Sequence, residues 1–313
     1  MTTLAALFPG QGSQSVGMGW DLAERWPVAA TAFKTVDDGL GTSLSELCWN
    51  GPEADLRLTE NTQPALLAHS GAAWAVLAEA GLKVGAVAGH SLGEYSAVVA
   101  ASGLELSDAA RTVRLRGRLM QEAVPVGEGA MAAVIGLDDG EVEAACREEE
   151  SASGGTVAAV NFNSPGQVVI AGSAEAVAGA GKRCKERGAR RALPLPVSAP
   201  FHSPLMAPAR EGLAPTLHEI GFRPLSVPLY RNVDAAAVSA PDDVREGLIR
   251  QVDSPVLWSE IIRRMRADGF DTFIEVGTGS VLSGLVRRID REAVCYQAGT
   301  VETVEKVIAD LVG

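Results

Sequence analysis

The stretch KVGAVAGHSLGEYSAVVA, residues 83–100, decides the fold. Its first half, KVGAVAGHS, is small and apolar and reads as a short buried strand, and the small-residue run after Gly93 reads as a helix. The joint between them is a GxSxG of Gly89, Ser91 and Gly93, the spacing of a nucleophile elbow. In a chain with 34 glycines the five-residue pattern can arise by accident, so it is the strand, turn and helix setting that gives it weight. Such a serine can belong to a hydrolase, to a transferase, or to a tight turn with no chemistry.

The same rhythm recurs outward from the elbow. LAALF (4–8) and TFIEV (272–276) read as buried strands, each running into a glycine turn and a helical stretch, so a largely parallel α/β sheet is expected. Between 129 and 197 the order changes to strand, helix, two strands joined by NSPG, helix, strand. That βαββαβ order is the split βαβ of a ferredoxin-like unit. The expected organisation is an α/β body made of 1–128 and 198–313, with a subdomain of 129–197 inserted between crossings at GEG (127–129) and SAP (198–200).

Composition narrows the function. The 47% hydrophobic and 21% charged content describes an ordinary globular chain, and no apolar run approaches a membrane span. The start MTTLAALFPGQGSQ lacks the basic and long apolar regions of a secretory signal, so a cytoplasmic setting is expected. Four scattered cysteines form no CxxC, and four histidines form no HExxH, so neither a disulfide framework nor a metal site is expected. A net charge of −12 argues against nucleic acid or an anionic membrane as partner. One local exception is KRCKERGARR (182–191), where Lys182, Arg183, Lys185, Arg187, Arg190 and Arg191 face a single Glu. A solvated helix face is the ordinary reading of such a run, and a docking site for an acidic protein is the functional one.

A serine hydroxyl needs a base. His90 adjoins Ser91, but neighbouring side chains on a turn point apart, which suits packing. His69 lies in an apolar helical stretch and His218 in a polar one. His202, in PVSAPFHSP, sits where the inserted unit ends and is the candidate base. The stretch 107–124 reads as a helix with Ser107 as N-cap. At about 100° per residue, Arg111, Arg114 and Arg118 fall on its polar side, while Arg116 falls in the middle of its apolar side. A guanidinium placed there calls for an anion, supplied by the protein or by a substrate carboxylate held bidentately. GQGSQ (10–14), after the first strand, offers backbone N–H groups and the Gln11 amide to an oxyanion, or is simply a turn.

Taken in order, FPGQGSQ (8–14), GHSLGEYSA (89–97), RGRLMQEAVP (116–125), NFNSPGQVVIAG (161–172), APFHSPLM (199–206) and QVDSPVLW (251–258) resemble the malonyl-CoA:acyl carrier protein transacylases and the acyltransferase domains of polyketide synthases. The resemblance runs over nearly the whole chain. It implies a hydrolase-like body, Ser91 as the acylated nucleophile, His202 as its base and Arg116 as the ligand of the malonyl carboxylate. It places Gln11 and the Leu92 N–H in the oxyanion hole, the main-chain carbonyl of Gln251 behind the histidine, and Asn163 near the site. Phe201 resembles the bulky residue of malonyl-selective members. No cofactor is implied; the substrates are malonyl-CoA and the holo acyl carrier protein, and the expected state is a monomer. A trans-acting acyltransferase of a polyketide pathway, a serine esterase or thioesterase, and a non-catalytic carrier-binding scaffold are the rival readings.

Overall fold

The structure, a computed structural model, describes residues 3–197 and 199–313. Its strands are β1 (Leu4–Phe8), β2 (Ala86–Gly89), β3 (Gly129–Ile135), β4 (Val157–Ser164), β5 (Gln167–Ser173), β6 (Arg191–Pro194), β7 (Leu229–Tyr230), β8 (Ala237–Val238), β9 (Thr272–Val276) and β10 (Val294–Ala298). They form two sheets, ordered β10-β9-β1-β2-β7-β8 and β4-β5-β3-β6. The first is parallel except for its edge strand β8, and the second is antiparallel throughout.

β1 shows why the larger sheet holds. All five residues of LAALF are buried, with Ala6 and Phe8 in one apolar cluster and Ala5 and Leu7 in another. A strand covered on both faces reads as an unbroken apolar run rather than an alternating one. The helices Thr59–Glu79 and Leu106–Glu122 supply the first cluster; Trp258–Ala267 and Val281–Ile289 supply the second. The predicted strand over 83–91 is shorter in the structure, because only Ala86–Gly89 pairs with β1 and β7.

The smaller sheet is built as the βαββαβ order requires. β3 lies between β5 and β6, and the helices Asp139–Ser153 and Ala174–Glu186 pack together on it. Asp138 caps the first of these helices by accepting from the Gly140 N–H. Of the two expected crossings, the second begins on Ser198, which lies outside the described residues. The helix expected from 107 begins at Leu106 instead; its N-cap is Glu105, with no side-chain bond, so Ser107 is not the cap. Ser107 instead packs against Gly39.

The elbow is set by close approach. Ser91 adopts a left-handed φ of 51°, and the helix Gly93–Ala100 starts two residues later. A Cβ on Gly89 would stand 1.9 Å from the Gly93 carbonyl carbon, and one on Gly93 would stand 2.0 Å from the Phe8 oxygen. The turn therefore folds under the end of β1 only with glycine on both sides of Ser91. Gly93→Ala is expected to destabilise the protein by about 3 kcal/mol, read as a lower urea midpoint with an unchanged slope.

Candidate active site

β1, β2 and β7 all end at one edge of the larger sheet, where ligands of open α/β folds bind. A cleft of ≈ 630 Å³ opens there, lined by Gln11, Ser91, Arg116, Phe201 and His202, with Met131 from the smaller sheet and Leu195 just past its last strand. Every residue singled out around the elbow meets at this place; the basic run does not.

Ser91 Oγ lies 2.7 Å from His202 Nε2, and His202 Nδ1 lies 2.8 Å from the main-chain carbonyl of Gln251. A carbonyl oxygen only accepts, so Nδ1 carries the ring proton and Nε2 presents its lone pair to the serine. Burial, reinforced by the Arg116 charge, pushes the His202 imidazole down to about 3, against the opposing pull of the Gln251 carbonyl. His202 also holds a left-handed φ, 65°. Ser91 and His202 thus face one another from two strained backbone positions, which persist only where surrounding bonds fix them.

Those bonds come largely from residues the sequence did not single out. Asn232 follows β7 and is fully buried; its Oδ1 accepts from the Ser91 N–H at 2.7 Å, and its Nδ2 donates to the Gly89 carbonyl at 2.7 Å. The Gln251 side chain donates from Nε2 to the Ser91 carbonyl at 2.9 Å and to Glu94 Oε2 at 2.8 Å. Glu94, three positions after Ser91, is fully buried. Its charge in the apolar run GEYSAVVA is the signal that would have marked it.

Arg116 is 1% exposed and has no carboxylate in contact among the described residues. Nη1 donates to Gln63 Oε1 at 2.9 Å, and Nη2 donates to Gln251 Oε1 at 2.9 Å and to Ser91 Oγ at 3.2 Å. Its Nε is buried without a partner, and the guanidinium lies 5.7 Å from the Tyr95 ring centre. Of the two anions that the helix projection left open, the protein's own carboxylate is not the contact found.

Gln11 reaches the cleft from the loop after β1, its Nε2 3.4 Å from Thr59 Oγ1. The Gly12 N–H in the same loop is taken by Gln14 Oε1 at 2.8 Å. The Leu92 N–H, one residue before the helix Gly93–Ala100, takes no acceptor among the described residues. Phe201 is buried against the cleft, next to His202. Asn163 holds His90, whose Nε2 is 2.8 Å from the Asn163 Oδ1, while the His90 ring tilts against Trp258 at 5.5 Å. Of the other histidines, His69 is buried with Nε2 2.9 Å from the Gly299 carbonyl, and His218 is exposed in the last turn of a helix. No group of three or more His, Cys, Asp and Glu among the described residues is placed to hold a metal ion.

The chain matches the family described as "Acyl transferase domain" over residues 6–307. It belongs to the acyl transferase family. Within it, the chain is 50% identical over 290 residues to the malonyl CoA-acyl carrier protein transacylase of Escherichia coli K12, covering 92% of this chain and 93% of that one. It is 46% identical over 311 residues to the Bacillus subtilis 168 protein of the same name, covering 99% and 98%. Among solved structures, an acyl carrier protein S-malonyltransferase from Vibrio cholerae superposes with a TM-score of 0.95 at 48% identity, covering 98% of this chain and 100% of that one. A malonyl-transacylase in complex with a type II PKS acyl carrier protein superposes with a TM-score of 0.95 at 45% identity, covering 98% and 99%.

The basic run lies apart from this site. Arg191 pairs with Ile135, and Pro194 pairs with Ala132, whose neighbour Met131 lines the cleft. The run is thus at the far end of the smaller sheet, roughly 13 Å from Leu195 at about 3.3 Å per residue. Two of its members are spent internally: Arg183 pairs with Glu149 at 2.7 Å, and Arg187 pairs with Glu141 and Glu148 at 2.5 Å each. Lys182, Lys185, Arg190 and Arg191 remain exposed without a pairing acid among the described residues.

The low His202 pKa has a direct test in this acyl transferase. An ordinary histidine titrates near 6.5, whereas His202 is expected to stay neutral from pH 8 down to about 4. Its ring carbon and nitrogen NMR signals should then hold constant through pH 6.5.

Proposed function

We propose that this acyl transferase moves a malonyl group from malonyl-CoA to the phosphopantetheine thiol of a holo acyl carrier protein, supplying extender units for fatty acid synthesis. The observation that carries the reading is Arg116. A buried guanidinium with no carboxylate in contact, 3.2 Å from the serine in the cleft, is placed to hold the free acid of a dicarboxylic acyl group. The malonyl acyl group named by the relatives above has that acid. A hydrolase of neutral esters has no use for such a group at that place.

The mechanism we infer is ping-pong. His202 Nε2 takes the Ser91 proton as Oγ attacks the thioester carbonyl, and the Leu92 N–H with the Gln11 amide receives the oxyanion. Collapse expels the CoA thiolate, which takes the proton from His202 and leaves malonyl-Ser91. The carrier thiol then gives its proton to His202 and attacks the ester; collapse returns the Ser91 hydroxyl with that proton. Gln251, through its carbonyl, holds the ring in the tautomer this exchange needs, and Asn163 fixes His90 beside it. A cytoplasmic setting suits a CoA thioester substrate. The division at 129 and 197 assigns the catalytic residues Ser91 and His202 to the body and one wall of the cleft to the insertion.

We assign carrier docking to the basic run, narrowed to Lys182, Lys185, Arg190 and Arg191. Carrier proteins of this kind are acidic, and this chain is otherwise strongly acidic. Replacing Lys182 and Lys185 by Glu is expected to raise the KM for carrier protein several-fold and leave the CoA half-reaction unchanged. An equal change in both half-reactions, or in neither, removes the docking site.

Intact-protein mass spectrometry after brief exposure to malonyl-CoA, methylmalonyl-CoA and acetyl-CoA, followed by a chase with holo carrier protein, tests the reading. The expected result is a malonyl adduct that Ser91→Ala lacks and the carrier clears. Free malonate accumulating without carrier would assign the site to a hydrolase. Arg116→Ala should lower malonyl loading at least about a hundredfold while sparing acetyl loading, because a site built around a charged partner discriminates strongly. Phe201→Ala should raise methylmalonyl loading about tenfold relative to malonyl, the scale set by one methyl group in a pocket.

A further inference from the structure

The buried polar groups behind Ser91 form a directed chain whose far end, Glu94, the transfer mechanism does not use. Arg116 Nη2 donates to Gln251 Oε1 at 2.9 Å, and the Nε2 of the same amide donates to Glu94 Oε2 at 2.8 Å. The amide has one accepting and one donating end. An acceptor-only carboxylate on one side and a donor-only guanidinium on the other admit a single orientation of Gln251. Glu94 Oε2 also accepts from the Asn232 N–H at 3.1 Å, and Oε1 is buried with no partner. A fully buried carboxylate is costly unless paired. The cation that this chain of bonds connects it to is Arg116, one amide away.

We propose that Glu94 is the counter-charge of Arg116 in the free enzyme, coupled through the Gln251 amide, and that it takes up a proton when the malonyl carboxylate binds. The inference rests on the reading that Arg116 holds that carboxylate. An indirect counter-ion compensates the guanidinium yet leaves its face toward the cleft open. A direct ion pair would close that face. When a second carboxylate arrives, one cation faces two anions, and the buried one, left with an unpartnered oxygen, is the one to be protonated.

The charged and titratable groups facing Glu94 are few. They are Arg116 on the helix Leu106–Glu122, Arg231 after β7, itself paired with Asp234 at 2.6 Å, and Tyr95 on Glu94's own helix. His202 sits across the Gln251 carbonyl. Burial pushes the Glu94 carboxyl up to about 7, against the pull of the bonds from Gln251 and Asn232 and of the Arg231 and Arg116 charges. A bound carboxylate at Arg116 pushes it further in the same direction. Above pH 7, malonyl binding therefore draws a proton from solution, and its dissociation constant rises by up to about tenfold per pH unit. Acetyl-CoA carries the same CoA phosphates but no acid, so the ratio of the two constants isolates the acyl group.

The test is calorimetric titration of the Ser91→Ala protein with malonyl-CoA and acetyl-CoA, in pairs of buffers differing in ionisation heat, from pH 6 to 8.5. At pH 7.5 malonyl-CoA is expected to take up about half a proton or more beyond acetyl-CoA. The ratio of dissociation constants should climb above pH 7. Adding Glu94→Gln should abolish the excess uptake and flatten the ratio. No excess uptake with Glu94 in place overturns the proposal, and this measurement stands even if the Glu94→Gln chain does not fold. The same excess in the Glu94→Gln protein overturns it as well. A malonyl preference that is present at pH 6, lost in Arg116→Ala and flat with pH sinks the counter-charge alone. No preference for malonyl-CoA at any pH sinks the carboxylate reading together with it.

Discussion

A guanidinium removed from water without a carboxylate beside it is the constraint around which this site is arranged. Burying such a charge costs several kcal/mol unless its donors are met and its charge is answered. Here the Nη donors are met by neutral oxygens, Gln63 Oε1, Gln251 Oε1 and Ser91 Oγ, while Nε has no partner. Each is an acceptor that gives up little when a stronger anion appears. The Tyr95 ring at 5.7 Å adds the attraction of a π face without adding an acid. A protein carboxylate in contact would be the more stabilising choice for the fold, and it would occupy the guanidinium permanently. Leaving Arg116 with neutral partners trades stability for a vacancy of charge in the cleft, the common bargain of functional sites.

Gln251 joins this arrangement to the serine and histidine. Its carbonyl fixes the His202 tautomer, and its amide holds Arg116 on one side and the Ser91 carbonyl and Glu94 on the other. Asn232 secures the remaining edge of the elbow through the Ser91 N–H and the Gly89 carbonyl. Two residues with left-handed backbones, each unfavourable alone, are thereby held within 2.7 Å of each other. The strain at Ser91 is matched from below by glycines whose missing Cβ atoms let the helix Gly93–Ala100 tuck under β1.

How much of this was legible in the sequence follows from the range of the interactions. β1 could be read to the residue because its burial on both faces leaves an unbroken apolar run before a glycine turn, and β9 because its run is interrupted only by Thr272 and the buried Glu275 before the next one. Ser91 and Arg116 were legible because local periodicity places one on a turn and the other on an apolar helix face. Asn232 and Glu94 were not, because their roles exist only across sequence separations of 141 and 157 residues, in bonds no local pattern encodes. The basic run read as six free charges because Glu141, Glu148 and Glu149 lie on another helix, brought alongside only by the packing of the smaller sheet. The Ser107 cap failed because the helix starts one residue before it, with Ser107 set against Gly39.

The neutral partner of His202 bears on which acceptor the acyl-serine meets. Burial first, and then the Arg116 charge, disfavours the imidazolium; a carboxylate behind the ring would offset this, whereas a carbonyl does so only weakly, so the ring stays well below its ordinary range. A base of that strength is poorly suited to water, whose pKa is about 15.7. A thiol near about 8.5 needs far less help. Ser91 itself is as reluctant a donor as water, but the elbow holds its oxygen 2.7 Å from the His202 Nε2 before the reaction begins. An incoming water has to be captured and oriented first. The neutral support of His202 therefore tilts the second half-reaction toward a thiol and away from hydrolysis.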